Sequence, residues 1–212
     1  MKQTNIFYRF GSRCMDGFMW FVFLIWTGLT WLQYRPKITY LPGAKPELLR
    51  QPCIYIANHF CHRDGSFAAQ ALYRSKMYTV ITRKWYDIKA ANIFLRHLRY
   101  IPIDLKIMDS TWIPAAQEKM KKGFSILIFP EGTRNPVGQM GEFHAGFLML
   151  AKFTDAPIIP LAIRGPYKLF HRQELLVGPP IEFDVHQKGR PSVIMREGAL
   201  LCREQIETML SH

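Results

Sequence analysis

Two short segments of this chain carry residue types that could act together on a reacting hydroxyl and an anion. The first is Asn58-His59-Phe60-Cys61-His62-Arg63-Asp64. Histidine can take a proton near neutral pH through one ring nitrogen, and a carboxylate on the other nitrogen fixes its tautomer and strengthens it as a base. His59 and Asp64 have the types for such a dyad. The segment sits where an apolar run gives way to a helical pattern, which puts Asp64 at or near a helix N-cap. There, free backbone amides and the helix dipole stabilise a carboxylate. Spacing alone leaves a plainer arrangement open, with Asp64 only a cap and His59 only a polar loop residue.

The second segment is Phe129-Pro130-Glu131-Gly132-Thr133-Arg134. Gly132 lets the backbone turn tightly and approach a ligand, and the planar donor fork of Arg134 suits a phosphate. The plainer alternative is a strand-end turn with a surface salt bridge between Glu131 and Arg134, a common and energetically minor pair. His59, Cys61, His62 and Asp64 together raise the question of a metal. Zinc sites usually join one such close pair to a second. His97, His144, His171, His186 and His212 supply no obvious second pair, so no metal is expected. No G-x-S-x-G elbow and no G-x-x-x-x-G-K-[ST] phosphate loop occurs.

The elements that would position these residues form an α/β pattern, with apolar β-rich runs alternating with helical ones. Cys53–Ala57 is predicted as a buried strand, followed by a helix over Asp64–Arg74 and a strand over Met77–Thr82. Ile88–Leu98 has helical spacing, Tyr100–Asp104 reads as a strand, and Ser110 can cap a helix to Lys122 that Gly123 would stop. Phe124–Phe129 is the strongest buried-strand signal, ended by Pro130 and Gly132. A helix from about Gly146, a strand over Ile158–Ile163 and an amphipathic helix over Ser192–Leu210 complete the pattern. The expected fold is a single α/β domain with a mixed, largely parallel sheet flanked by helices, spanning 36–212 after a boundary near Pro36–Pro52.

Residues 1–35 form the second part of the expected organisation. Phe18–Leu32 contains no charge and is 15 residues long. As a helix it would cover ~22 Å, short of the ~30 Å hydrocarbon layer, so lying in the interface suits it better than spanning. Trp20, Trp26 and Trp31 along it, and Ile6, Phe7, Phe10 and Cys14 at helical spacing beside Arg9 and Arg13, fit a membrane-surface segment. No small-residue cleavage site follows it, so it is expected to stay attached. A buried core helix is the plainer alternative. The formal charge of +12, from 28 Lys+Arg against 16 Asp+Glu, should attract anionic partners. Cys14, Cys53, Cys61 and Cys202 are scattered without C-x-x-C spacing and are expected as free thiols in a reducing cytoplasm.

In order and spacing, these segments resemble the glycerolipid acyltransferase family, the bacterial 1-acyl-glycerol-3-phosphate acyltransferases and their relatives. His59 and Asp64 match its H-x4-D block, preceded by the usual Asn58. Phe129–Arg134 reproduces F-P-E-G-T-R without change, and Ala156–Ile163 is similar to a downstream V-P-[IV]-[IV]-P-V segment. The resemblance covers about Leu41–Ile163 and extends to an N-terminal membrane-binding helix pair. It implies an O-acyltransferase in which His59 deprotonates an acceptor hydroxyl that attacks the thioester of acyl-CoA or acyl-carrier protein. No covalent acyl-enzyme, cofactor or metal is implied. The acceptor would be a lysophospholipid, most simply 1-acyl-glycerol-3-phosphate giving phosphatidate, with its phosphate held by Glu131, Gly132, Thr133 and Arg134. The setting would be the cytoplasmic face of the inner membrane.

Two departures bear on the acceptor. Where the family often has G-x-I-[FP]-[IV]-D-R, this chain has Arg99-Tyr100-Ile101-Pro102-Ile103-Asp104-Leu105, so Arg99 and the adjacent Lys106 become the candidates for further anion contacts. His144 stands where relatives often carry lysine. An acceptor with another head group, or a lipid precursor, therefore stays open. The rival class is a non-enzymatic basic peripheral membrane or nucleic-acid protein. It leaves Asn58, His59 and Asp64 unexplained and lacks a basic helix with interleaved aromatics, so nucleic acid is not expected as a partner.

Overall fold

The structure, a computed structural model, describes residues 35–85, 99–104, 111–168 and 171–211, with residues 21, 25, 28, 29 and 31–33 before them. The helical reading of Ile88–Leu98, the Ser110 cap, Lys106 and most of the 1–35 segment lie outside the described residues.

A seven-stranded sheet runs in the order β1-β7-β6-β2-β5-β3-β4. Its strands are β1 (Lys37–Tyr40), β2 (Ile54–Ala57), β3 (Met77–Thr82), β4 (Tyr100–Ile103), β5 (Ser125–Ile128), β6 (Ile158–Ile163) and β7 (Glu174–Val177). Every pairing is parallel except β6 with β7, which is antiparallel. Parallel strands covered on both faces read as unbroken apolar runs, and β2, β5 and β6 are buried at every position.

Alternate side chains on these runs feed two separate cores. Ile54 and Ile56 of β2, with Ile126 and Ile128 of β5, face α2 (Trp112–Lys121), α3 (Gly146–Thr154) and α4 (Pro191–Ser211). Tyr55, Ala57 and Leu127 face the other way, onto Phe67, Ala68 and Ala71 of α1 (Asp64–Ala71). The period of two thus sends each strand's residues to opposite layers, with α2, α3 and α4 on one face and α1 on the other among the described residues.

Two strands were not apparent in the sequence. β1 lies inside the stretch taken as the boundary after the N-terminal segment, and β7 follows β6 where no element was expected. α1 is also shorter than expected. It stops at Ala71, and a 3-10 turn over Tyr73–Ser75 leads to Lys76 at φ +22°. That turn brings the buried Ser75 hydroxyl to Tyr55 on β2, an anchor a straight helix to Arg74 would miss.

Gly198 of α4 lies against the first of these cores. A Cβ there would stand 2.6 Å from Phe183 and 2.9 Å from Leu148 of α3. Gly198→Ala sets a helix-propensity gain of about 1 kcal/mol against an overpacking cost of about 1–3 kcal/mol in a tight core. The contacts are short enough for overpacking to win, so chemical denaturation should show a net loss of stability. A gain would mean that α4 can move off α3 freely.

Candidate active site

In a parallel sheet, the residues following each strand gather at one edge. The three central neighbours β6, β2 and β5 end side by side, and their following loops supply the site: 58–63 after β2, 129–135 after β5 and 164–167 after β6. This carboxyl edge, at a point where successive connections leave in opposite directions, is where open α/β sheets place ligands.

Asn58 fixes the first loop. Its side-chain oxygen accepts the Ile163 amide at 2.7 Å and its amide donates to the Ile163 carbonyl at 3.0 Å, which extends the β2–β6 pairing one step beyond Ala57. The chain then turns, and His59 Nδ1 lies 2.8 Å from Asp64 Oδ2. The same oxygen accepts the backbone amides of Phe60 and Cys61, both at 2.8 Å. Asp64 is the first residue of α1, but its carboxylate turns back into the preceding loop, and no side-chain cap is made at Arg63. The cap-only arrangement is therefore not what this carboxylate does.

Asp64 is 0% exposed, so every oxygen lone pair without a partner would be costly. Its second oxygen, Oδ1, accepts the hydroxyl of Tyr167 at 2.8 Å. Burial, and then the Asp64 carboxylate, push the Tyr167 hydroxyl far above the usual phenol range, so it keeps its proton and remains a donor. Tyr167 also packs on Phe60 and Phe67. The His59 ring stacks on Phe129 with centroids 4.3 Å apart, and its side chain is 19% exposed. With Nδ1 held by Asp64, Nε2 is the nitrogen left to meet a proton donor from solution.

The F-P-E-G-T-R turn divides its labour differently from expectation. Glu131 is 4% exposed and points inward. Its Oε1 accepts the backbone amide of His59 at 2.7 Å, and its Oε2 accepts the amide of Gly141 at 2.9 Å and the side-chain amide of Asn135. A buried carboxylate so engaged faces away from the rim where Arg134 lies and ties the β5 loop to the loop that carries His59. Nor is it the partner of Arg134 in a surface salt bridge. Gly132 takes φ +64°, a backbone region natural to glycine, and this turn reverses the chain so that Thr133 and Arg134 are exposed on the rim. Arg134 Nη1 lies 3.4 Å from His62 Nε2, and the Asn135 amide donates to the His59 carbonyl at 2.9 Å. The two loops are thus stitched together on both sides of His59.

Arg99 is a correction to the sequence reading. It precedes β4 and stacks over Phe124, which precedes β5, so it stands at the amino edge of the sheet, opposite the dyad. Among the described residues, no group of three or more His, Cys, Asp or Glu is arranged to hold a metal ion. Tyr167, Asn135 and Gly141 escaped the sequence analysis. Tyr167 reaches Asp64 from the end of a strand 103 positions away, and Asn135 and Gly141, in the loop that follows Glu131, belong to no motif.

Residues 36–164 match the family model described as Acyltransferase. The chain belongs to the acyltransferase family. A 1-acyl-sn-glycerol-3-phosphate acyltransferase of Pseudomonas aeruginosa is 31% identical over 146 residues, covering 68% of this chain and 54% of that protein. The chloroplastic 1-acyl-sn-glycerol-3-phosphate acyltransferase BAT2 of Brassica napus is 29% identical over 123 residues, covering 56% of this chain and 34% of that protein. The chain thus spans about half or less of the length of these relatives. The crystal structure of the acyltransferase PlsC from Thermotoga maritima superposes with a TM-score of 0.60 at 21% identity, over 94% of this chain and 80% of that one. The chain therefore shares that fold.

Tyr167→Phe leaves Asp64 Oδ1 buried without its donor. It should lower stability by about 1–3 kcal/mol in urea denaturation. An unchanged midpoint would show that Asp64 does not depend on the hydroxyl.

Proposed function

We propose that this acyltransferase moves a fatty acyl group from acyl-CoA or acyl-carrier protein to the free hydroxyl of a lysophospholipid, 1-acyl-glycerol-3-phosphate first among them. The observation that carries the reading is the 2.8 Å contact between His59 Nδ1 and a fully buried Asp64 that also accepts the Phe60 and Cys61 amides and the Tyr167 hydroxyl. The names of the relatives favour the phosphorylated acceptor.

In this mechanism the acceptor hydroxyl donates its proton to His59 Nε2 as its oxygen attacks the thioester carbonyl. The tetrahedral intermediate collapses with cleavage of the C–S bond, and the imidazolium returns the proton to the departing sulfur. Ester and thiol are the products, with no acyl-enzyme, cofactor or metal. Asp64 stabilises the imidazolium and keeps the ring in place. Arg134, exposed at the rim beside the His59 loop, holds the acceptor's phosphate, with Thr133 next to it.

The protein works at a membrane surface in this reading. Phe21, Ile25, Leu29 and Leu32 are exposed, and their spacing puts them along one helical stripe just before Arg35 and Lys37. No helix among the described residues is long and apolar enough to cross a bilayer.

Thiol release from acyl-CoA in the presence of a lysolipid tests the activity. His59→Ala should abolish it in a folded protein, and Asp64→Asn should lower kcat by at least about 100-fold with little change in acceptor KM. Turnover by folded His59→Ala would remove the histidine from the mechanism. Arg134→Ala should raise KM about 10-fold for a phosphorylated acceptor, the scale of one lost charge-assisted hydrogen bond. An unchanged KM would place the phosphate elsewhere.

A further inference from the structure

Glu131 is a buried carboxylate whose donors, the His59 and Gly141 backbone amides and the Asn135 side chain, are all neutral. A buried charge held only by neutral dipoles gains from a cation nearby. The structure provides one through a single peptide unit. Arg203, on α4, donates from Nη2 to the Met140 carbonyl at 3.2 Å and from Nε to the Gly141 carbonyl at 3.0 Å. The Met140 carbonyl and the Gly141 amide belong to the same peptide bond. Arg203 therefore pulls on the oxygen of the very peptide whose N–H points at Glu131.

Hydrogen bonds in series polarise one another, and a guanidinium on the carbonyl makes the amide at the other end a stronger donor. The next link is Glu131 Oε1 on the His59 amide at 2.7 Å. The series from α4 to the base has no gap: guanidinium, peptide 140–141, carboxylate, peptide 58–59, imidazole. Its geometry is tightly specified at both ends. A Cβ on Gly141 would stand 2.7 Å from Asn135 Nδ2, so that peptide presses directly on the groups it serves. The guanidinium is held in turn by Glu207, one turn further along α4, at 2.6 Å.

We propose that Arg203 is a positioning residue for the acyl-transfer reaction, acting on His59 through the Met140–Gly141 peptide and Glu131 without touching substrate. The C-terminal helix, outside the segment that matches the family model, is then part of the catalytic apparatus. The inference rests on the activity proposed above, and it names a cation on α4 that sets the base's backbone from a distance.

The test is steady-state thiol release by the full chain carrying Arg203→Met, Arg203→Lys, Glu131→Gln and the double variant Arg203→Met/Glu131→Gln, alongside thermal melting. Arg203→Met should lower kcat about 10-fold, the scale of a small misplacement of a catalytic group, with KM for donor and acceptor unchanged within about twofold. Arg203→Lys, which keeps the charge and one donor, should recover most of the loss and serves as the readout if the methionine variant melts early. In the Glu131→Gln background, Arg203→Met should add little, because the series is already broken. Three results would overturn the proposal: full kcat in folded Arg203→Met, an effect confined to KM, or losses that multiply in the double variant. A wild-type protein with no thiol release would instead defeat the activity on which the inference rests.

Discussion

The site depends on one buried charge. Asp64 is enclosed at the junction of a strand-end loop and a helix, and it keeps its place because four donors reach it: the His59 ring, the amides of Phe60 and Cys61, and the Tyr167 hydroxyl. Hydrogen bonds to a charged group contribute about 1.5–3 kcal/mol each, and removing one leaves a desolvated oxygen behind. That asymmetry makes the arrangement exacting. The loop cannot relax without exposing the carboxylate, and the carboxylate cannot leave without freeing two amides and a histidine.

The rest of the fold supplies the constraints that make this burial possible. β2 lies between β6 and β5, so the carboxyl ends of both neighbours can close over its loop. From the β6 side come Tyr167 and the Asn58 pairing with Ile163; from the β5 side come Phe129 under the imidazole and Glu131 on its backbone. The second carboxylate repeats the logic of the first, accepting backbone amides in a buried setting so that a loop becomes rigid. What stays exposed on the rim, Thr133 and Arg134 among them, faces solvent.

Much of this was legible in the sequence. The expected strands over Met77–Thr82 and Ile158–Ile163 coincide with β3 and β6, and β6, buried at every position, shows the unbroken apolar signature of a strand covered on both faces. β1 and β7 left none. Both are four residues long, and β1 pairs with a strand more than 130 positions later, so its pairing is a fact of topology with no local signal. The F-P-E-G-T-R turn was recognisable as a unit, but not the direction of each side chain within it. Gly132 reverses the chain, sending Glu131 inward and Arg134 outward, and only their surroundings reveal that one holds the His59 backbone amide while the other faces solvent. The place of Arg99 follows from strand direction alone. A residue before a parallel strand and one after its neighbour must lie at opposite edges of the sheet.

In the proposed mechanism Asp64 holds His59 with its proton on Nδ1 and leaves Nε2 bare to accept a proton. Nitrogen-15 NMR of histidine-labelled protein at neutral pH observes this directly, with His59→Gln used to assign the signal. The expected signal has a proton-bearing Nδ1 and an unprotonated Nε2 for His59, a pattern lost in Asp64→Asn. A His59 signal with the proton on Nε2, or one unchanged by Asp64→Asn, would contradict it.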